Sequence, residues 1–144
     1  MHTVDNCLFC KIVKGEVPCT KVYEDEDVLA FLDISQTTIG HTLVIPKEHF
    51  DNFLFVPKDL LGKVFSATQK IAQALVMGLG AKGVNILVNT NEIAGQTIMH
   101  FHVHVIPRYS SDDLIKIDFI PREITKLNLP KIANDISLNI DNIK

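Results

Sequence analysis

Residues 100–106 read HFHVHVI, so that three imidazoles alternate with apolar side chains. Successive side chains of a β-strand point to opposite faces of a sheet, and this pattern predicts a strand over Met99–Ile106. His100, His102 and His104 would share one face, while the apolar residues between them bury the other. Three aligned imidazoles are costly to crowd together, which indicates that this polar face carries chemistry.

Four more strands are predicted around this one, at Thr20–Glu24, Val28–Asp33, His41–Pro46 and Val84–Asn89. The acidic link at residues 24–27 favours a hairpin between the first two strands. Short links between strands, with one long helix inserted after the third, are typical of an antiparallel sheet with a helix packed on it.

The apolar spacing predicts three helices in this α+β arrangement. The longest covers Lys58–Met77, with Pro57 suited to its start and Gly78 and Gly80 suited to its end. Its apolar positions at helical spacing are Leu60, Leu61, Val64, Ile71, Ala72, Leu75 and Leu79. A short amphipathic turn or helix is predicted at residues 7–14, ending at Gly15. A C-terminal helix over Leu129–Ile140 places Ile132, Ala133, Ile136 and Ile140 on one stripe.

Composition limits the classes of function. The 144 residues are 47% hydrophobic and 22% charged, with a formal net charge of −3. This balance predicts one globular domain over residues 1–144, and no basic run marks a face for nucleic acid or for an anionic membrane. We expect a cytoplasmic protein, because no secretion signal and no apolar run of about 20 residues is seen. In that compartment, Cys7, Cys10 and Cys19 are expected to be thiols or metal ligands.

The spacing of the histidines leaves two roles open. A His-x-His pair on a strand can bind zinc, as in metal hydrolases. Alternatively, the central histidine acts as a nucleophile while its neighbours set its tautomer and field. Histidine suits attack on phosphorus, because water readily hydrolyses the phospho-imidazole that forms.

Four further blocks, in order along the chain, accompany the alternating histidines. They are Leu8–Ile12, Ala30–Ile34, Gly40–Pro46 and Gly95–Thr97. With these blocks, the sequence resembles the histidine triad (HIT) family from Cys7 to Arg108. The resemblance implies a HIT-like fold with a five-stranded sheet, a core at 7–108 and a C-terminal extension at 109–144. It points to the bacterial branch of nucleoside phosphoramidases and dinucleoside polyphosphate hydrolases that carry a CxxC zinc site.

The resemblance implies catalytic roles residue by residue. His102 holds the place of the family nucleophile, which attacks the α-phosphorus of a purine nucleotide, and His100 of the same triad is expected to belong to the catalytic group. His104, Gln96 and Thr97 would donate hydrogen bonds around the phosphate and leaving group, and Gly95 would help the turn that brings them in. Thr97 stands where the family usually has serine, which keeps the hydroxyl. His41 matches a histidine behind the nucleophile that orients the triad, although an ordinary buried histidine would read the same way.

Nucleotide-binding positions follow from the same resemblance. Asp33 matches the acid that accepts from both ribose hydroxyls, and Asn89 matches a polar residue beside the ribose and phosphate. The apolar pocket for the base would comprise Leu8, Phe9, Val17 and Ile34. From the residues alone, those four fit core packing equally well, and Asp33 fits a turn at the end of a strand.

The resemblance also implies a structural Zn²⁺ site formed by Cys7, Cys10, His49 and His100. A CxxC pair alone is a weak signal, and two reduced cysteines packed as small apolar groups remain the alternative.

The leading function is therefore a purine nucleotide hydrolase that cleaves phosphoramidates or dinucleoside polyphosphates through a nucleotidyl-histidine on His102. Alternatives are a nucleotidyltransferase, a nucleotide-binding interaction module with weak catalysis, and a zinc hydrolase that uses the His-x-His pair. The expected partners are a small purine nucleotide and a second copy of the chain, without nucleic acid or membrane.

Overall fold

A computed structural model describes residues 1–143. Its strands are β1 (Lys21–Glu24), β2 (Val28–Leu32), β3 (Thr42–Pro46), β4 (Gly83–Leu87) and β5 (Val103–Arg108). Its helices are α1 (Leu8–Val13), α2 (Lys58–Leu79) and α3 (Leu129–Ile140). The strands form one antiparallel sheet in the order β1-β2-β3-β5-β4, which confirms the predicted α+β arrangement.

Both faces of the sheet are covered, which explains why β2 and β3 are apolar along nearly their whole length. Val28, Ala30 and Val44 face α2 in one core cluster that also contains Val103 and Val105. The alternate residues of β2 and β3 pack against α1 in a second cluster. Continuous apolar runs of this kind are typical of strands buried on both sides. The second face, under α1, is the one that holds the site described below.

Helix α2 packs across the sheet through the predicted stripe, of which Val64, Ile71 and Leu75 are buried. It begins after Pro57 and ends at Gly80, which adopts the left-handed conformation at φ 73° that favours glycine. The predicted end at Met77 was two residues short, because Gly78 is accommodated inside the helix. Glycine is unfavourable there but does not by itself terminate a packed helix.

The prediction of a strand over Met99–Ile106 was wrong in its first half. Ladder pairing with β3 and β4 starts only at Val103, and the chain from Ile98 to His100 forms a bend. The Phe101 amide instead donates to the Phe50 carbonyl at 2.7 Å. The alternation of polar and apolar residues begins before the ladder does, although His100, Phe101 and His102 are all buried, so the period of two does not reveal where the ladder begins.

The other strand limits differ from prediction by one or two residues. β1 begins at Lys21 and β3 at Thr42, while β2 ends at Leu32 and β4 ends at Leu87. Asp33 and Asn89 therefore follow strands instead of ending them. Loops that leave the sheet at these points bring polar side chains to its edge, where function is commonly located.

The C-terminal helix has the predicted limits but makes no buried contact. No residue of 109–143 is buried, and Ile132, Ile136 and Ile140 of the predicted stripe are all exposed. The start of the extension is held by Arg108, whose Nε donates to Asp113 at 2.9 Å. In the described chain, no helix is long and apolar enough to cross a membrane.

Candidate active site and metal centre

His102 lies just before β5 with its ring fixed by the backbone. Its Nδ1 is 2.7 Å from the carbonyl oxygen of His100. Because a carbonyl oxygen only accepts, Nδ1 carries the proton and Nε2 keeps its lone pair. Burial lowers the pKa of His102 below the ordinary histidine value, so the neutral ring is favoured. The edge of the Phe9 ring packs against it at a centroid distance of 5.2 Å.

His104 is the next histidine along the strand and contacts His41 behind it. His41 Nε2 and His104 Nδ1 are 2.9 Å apart, and the Asp33 carboxylate lies 3.7 Å from the same His41 nitrogen. Burial, reinforced by His102 and His41, lowers the pKa of His104 to about 4. Burial likewise lowers the pKa of His41. Burial therefore favours the neutral form of all three rings near pH 7, and the direction of the His41–His104 hydrogen bond depends on the tautomer.

A cleft of about 600 Å³ opens beside these rings. The four residues predicted for the base pocket, Leu8, Phe9, Val17 and Ile34, all line it. Among the lining residues, His102 and His104 lie next to each other and Asp33 lies close to His104, and we call this group the polar end of the cleft; Thr97 lines the cleft as well. A mostly apolar cleft with a few convergent polar groups is the usual form of a small-molecule site.

Three predicted residues lie outside the cleft lining, in or beside the loop before the triad. Gln96 is buried, and its Nε2 donates to the carbonyls of Asp51 at 2.6 Å and Ile98 at 3.0 Å. Its Oε1 accepts from the Asn91 amide at 2.8 Å. Gly95 has φ 101°, and Asn89 Nδ2 reaches its carbonyl at 3.4 Å. The structure thus uses Gln96 as a brace of the loop that presents Thr97.

Sequence reasoning missed several residues of the cleft. They are Ile12, Pro18, Cys19, Thr20, Phe31, Leu32, Ser35, Leu43 and Ile98. Phe31 and Leu43 lie on the sheet face opposite α2, so the fully apolar β2 and β3 carried a signal that a second layer covers them. Cys19 lies in the loop between α1 and β1, and nothing in its local sequence marks it as a cleft residue.

His100 is not in the cleft but in a second, buried cluster with Cys7, Cys10 and His49. The four candidate ligand atoms all lie within 4.8 Å of one another. Cys7 Sγ is 3.4 Å from His100 Nδ1, and Cys10 Sγ is 3.4 Å from His49 Nδ1 and 3.5 Å from His100 Nδ1. In a tetrahedral Zn²⁺ site, a sulfur ligand and a nitrogen ligand lie about 3.6 Å from each other. The cluster therefore has the dimensions of a metal site.

The outer nitrogens of both histidines support the same interpretation. His100 Nε2 lies 2.8 Å from the Pro46 carbonyl oxygen, and His49 Nε2 lies 2.8 Å from Asp51 Oδ1. Acceptors at these positions place the protons on Nε2 and leave both Nδ1 lone pairs pointing at the sulfurs. Histidines that bind metal usually donate their other N–H to a carbonyl or carboxylate in this way. These four residues could hold a metal ion.

Comparisons with known proteins show the family to which this chain belongs. The HIT domain profile matches residues 14–111, and the chain belongs to the HIT family. It is 52% identical over 113 residues to Protein hit of Bacillus subtilis, covering 78% of each chain.

Two relatives carry names that state an activity. An adenosine 5'-monophosphoramidase of Schizosaccharomyces pombe is 34% identical over 135 residues, covering 94% of this chain and 98% of the relative. An adenylylsulfatase of Arabidopsis thaliana is 39% identical over 124 residues, covering 86% of this chain and 63% of the relative. These relatives support the coarse assignment of this chain as a nucleotide hydrolase of the HIT type.

Solved structures agree with the fold. A HIT family protein from Bacillus anthracis superposes with a TM-score of 0.90 at 44% identity, covering 99% of this chain and all of the other. A zinc-bound histidine triad family protein from Mycobacterium smegmatis gives a TM-score of 0.74 at 42% identity, covering 82% and 86% of the two chains.

Proposed function

We propose that this protein hydrolyses purine nucleotides whose α-phosphate bears a displaceable group, and that His102 is the nucleophile. The observation that carries the proposal is the 2.7 Å contact between His102 Nδ1 and the His100 carbonyl. It leaves an unprotonated Nε2 on a ring that lines the cleft. A neutral imidazole held in one tautomer is the form that can attack phosphorus.

The reaction has two displacements. His102 Nε2 forms a bond to the α-phosphorus while the bond to the leaving group breaks, and the leaving group takes that electron pair. Water then attacks the phosphorus of the nucleotidyl-histidine and loses a proton to solvent, while the phosphorus–nitrogen bond breaks, its electron pair returns to Nε2 and the nucleoside monophosphate is released. Each step transfers charge onto phosphate oxygens, so the positioning of donors accounts for most of the catalysis.

Donors at the polar end of the cleft fit that requirement. When His41 Nε2 donates to His104 Nδ1, the proton of His104 resides on its Nε2, which can donate to a phosphate oxygen. The Thr97 hydroxyl lines the same wall. Asp33 sits between this end and the apolar walls, and we propose that its carboxylate accepts from the ribose hydroxyls. The apolar walls would then hold the purine base by stacking.

For Gln96, Gly95 and Asn89 we propose a supporting role. The loop they form is held by backbone hydrogen bonds. Within it, Asn91 has a positive φ of 70° although it is not a glycine. A residue other than glycine adopts this conformation only when its surroundings enforce it. The loop therefore fixes the position of Thr97 in the lining of the cleft.

We also propose that Cys7, Cys10, His49 and His100 bind one structural Zn²⁺. The ion would join the N-terminal helix to the chain beside His102, while the two cysteines would bind as thiolates. The sulfur–nitrogen distances and the acceptors behind both histidines support this assignment. A zinc-bound relative of the same fold adds support.

A homodimer in the cytoplasm remains part of the proposal. Its support in the structure is the apolar stripe of α3, which has no cover within residues 1–143. A contiguous exposed apolar surface of this kind is typical of a surface that meets a partner. Light scattering coupled to size exclusion measures the mass directly, and a mass of one chain would contradict the dimer.

A substrate panel tests the activity. It comprises adenosine and guanosine phosphoramidates, adenylyl sulfate and dinucleoside polyphosphates, each scored by kcat/KM with and without an acceptor sugar phosphate. His102→Ala should lose turnover by at least about 10³-fold while nucleotide binding persists, whereas Lys70→Ala on the exposed side of α2 should match the parent. Equal turnover by His102→Ala would reject the nucleophile. Transfer to the acceptor would favour a nucleotidyltransferase, and binding without turnover would favour an interaction module.

A further inference from the structure

A second, smaller cleft of about 400 Å³ adjoins the first. Leu8, Thr97 and Ile98 line both clefts, so the two clefts adjoin at these residues. The lining of the second cleft also includes Asn6 of the N-terminal segment and Asp51. A group bonded to a phosphate at the triad could therefore extend from the first cleft into the second.

The residues that line the second cleft give it a negative charge. In the part of the chain that the structure describes, no lysine or arginine lines either cleft. Asp51 is the acidic residue of the second cleft, and its side chain is 63% exposed. One of its oxygens accepts from His49 Nε2, which leaves the other free. A Zn²⁺ ion with two thiolates adds no net charge, so Asp51 sets the local potential.

We propose that the second cleft binds the leaving group of the substrate and selects an amine that carries a separate positive charge. This rests on the proposed function, and it narrows the substrates to nucleoside phosphoramidates of cationic amines. Nucleoside polyphosphates and sulfate are anionic leaving groups that meet Asp51 without a compensating cation. Like charges at short distance are unfavourable, and opposite charges favour binding.

The chemistry of release is consistent with this placement. His102 Nε2 bonds to phosphorus as the phosphorus–nitrogen bond breaks, and the departing nitrogen keeps that electron pair. The nitrogen also takes one proton, which reaches it from solvent through the exposed Thr97 hydroxyl, and it leaves as an amine. The remote ammonium group does not react, so its contact with Asp51 affects selection alone.

Three substrates whose leaving groups share a four-carbon chain test the proposal. Adenosine 5'-phosphate is joined through nitrogen to butylamine, to one end of 1,4-diaminobutane, or to 4-aminobutanoate, so that the far end is neutral, cationic or anionic. The parent protein should prefer the cationic over the neutral substrate by about two- to fivefold in kcat/KM, as expected for a solvent-accessible ion pair. The anionic substrate should rank last.

Two variants localise the preference. Asp51→Asn removes the charge but keeps an oxygen that can accept from His49, and it should reduce the ratio of cationic to neutral kcat/KM to about one. The ratio is the readout because Asp51 also contacts a metal-site histidine, and zinc content is measured in parallel. Glu48→Gln removes a nearby acid that lines neither cleft, and its ratio should match the parent.

The outcomes separate this inference from the proposed function. If the parent hydrolyses all three substrates without a charge preference, the inference is wrong and the hydrolase stands. If Asp51→Asn lowers kcat/KM for all three equally, Asp51 has only a structural role. If none of the three is hydrolysed, the proposed function fails, and the leaving-group assignment fails with it.

Discussion

His100 fixes His102 through its own backbone, since its carbonyl oxygen accepts from His102 Nδ1 at 2.7 Å. The side chain of the same residue points into the cysteine cluster, where Nδ1 lies 3.4 Å from Cys7 Sγ. A single residue thus connects the proposed metal site to the orientation of the proposed nucleophile. Any change that shifts the His100 backbone should misalign His102 without touching it.

Loss of the metal provides the first test of that connection. Cys10→Ser should abolish stoichiometric zinc and, if it costs about 3 kcal/mol, lower the melting temperature by roughly 10 °C. Turnover should fall as well, because His100 loses the ligand bond that fixes it. Cys19→Ser, which removes a thiol outside the cluster, should retain zinc. Full zinc content in Cys10→Ser, measured by plasma mass spectrometry, would contradict the assignment.

The pH dependence follows from burial of the triad. Burial lowers the pKa of His102, and the pKa of His104 falls to about 4. Both rings therefore favour the neutral form at pH 6.5, and the acidic limb of kcat/KM should lie below that value. The unfolded chain binds more protons in this range, so these groups support stability above pH 6.5 and lose that support as the pH falls towards 4. An acidic limb above pH 6.5 would be inconsistent with neutral buried rings.

His41 should act by positioning. Its Nε2 lies 2.9 Å from His104 Nδ1, and its ring lies behind the cleft. His41→Leu keeps an apolar filling but removes this bond, so kcat should fall by about tenfold or more while KM changes little. A melting curve checks that the fold survives. Unchanged kcat in a folded His41→Leu protein would show that the His41–His104 hydrogen bond does not contribute to catalysis.

A matched pair of glycines tests the packing of α2 against the loop before β3. Gly40 has φ 100°, and a Cβ there would lie 2.7 Å from Leu79 Cδ1. Gly40→Ala should therefore destabilise the fold by about 1–3 kcal/mol through strain and crowding. Gly62 lies in α2 with open space around its Cβ, and Gly62→Ala should stabilise by roughly 0.5–1 kcal/mol. Denaturant unfolding measures both, and equal effects would refute the steric argument.

Much of the fold was predictable because the patterns are local. The apolar spacing of α2 and α3 and the acidic turn between β1 and β2 located those elements within a few residues. The start of β5 was not predictable in this way, because a period of two reports which way side chains point and says nothing about hydrogen-bonding partners. Only tertiary contacts, such as the Phe101–Phe50 bond, decide where the ladder stops.

In the candidate site, too, the features with a local sequence signal were predictable, and those that depend on tertiary geometry were not. Motif blocks predicted His102, Asp33 and the four apolar residues of the proposed base pocket, and all of these residues line one cleft. Gln96 was expected to face the phosphate, but its side-chain amide already forms three hydrogen bonds with backbone groups. The direction of a side-chain amide depends on the geometry of its loop, and the residue type alone does not determine that geometry. The second cleft at Asp51 likewise arises from segments distant in sequence.

The decisive measurement is a search for the covalent intermediate. Protein mixed with an adenosine phosphoramidate labelled in the α-phosphate, quenched in base within milliseconds and digested, should yield a labelled peptide that contains His102. The label should appear and decay at rates fast enough to account for kcat, and His102→Ala should show none. Turnover at the full rate with no labelled peptide, or with the label on another residue, would contradict the account.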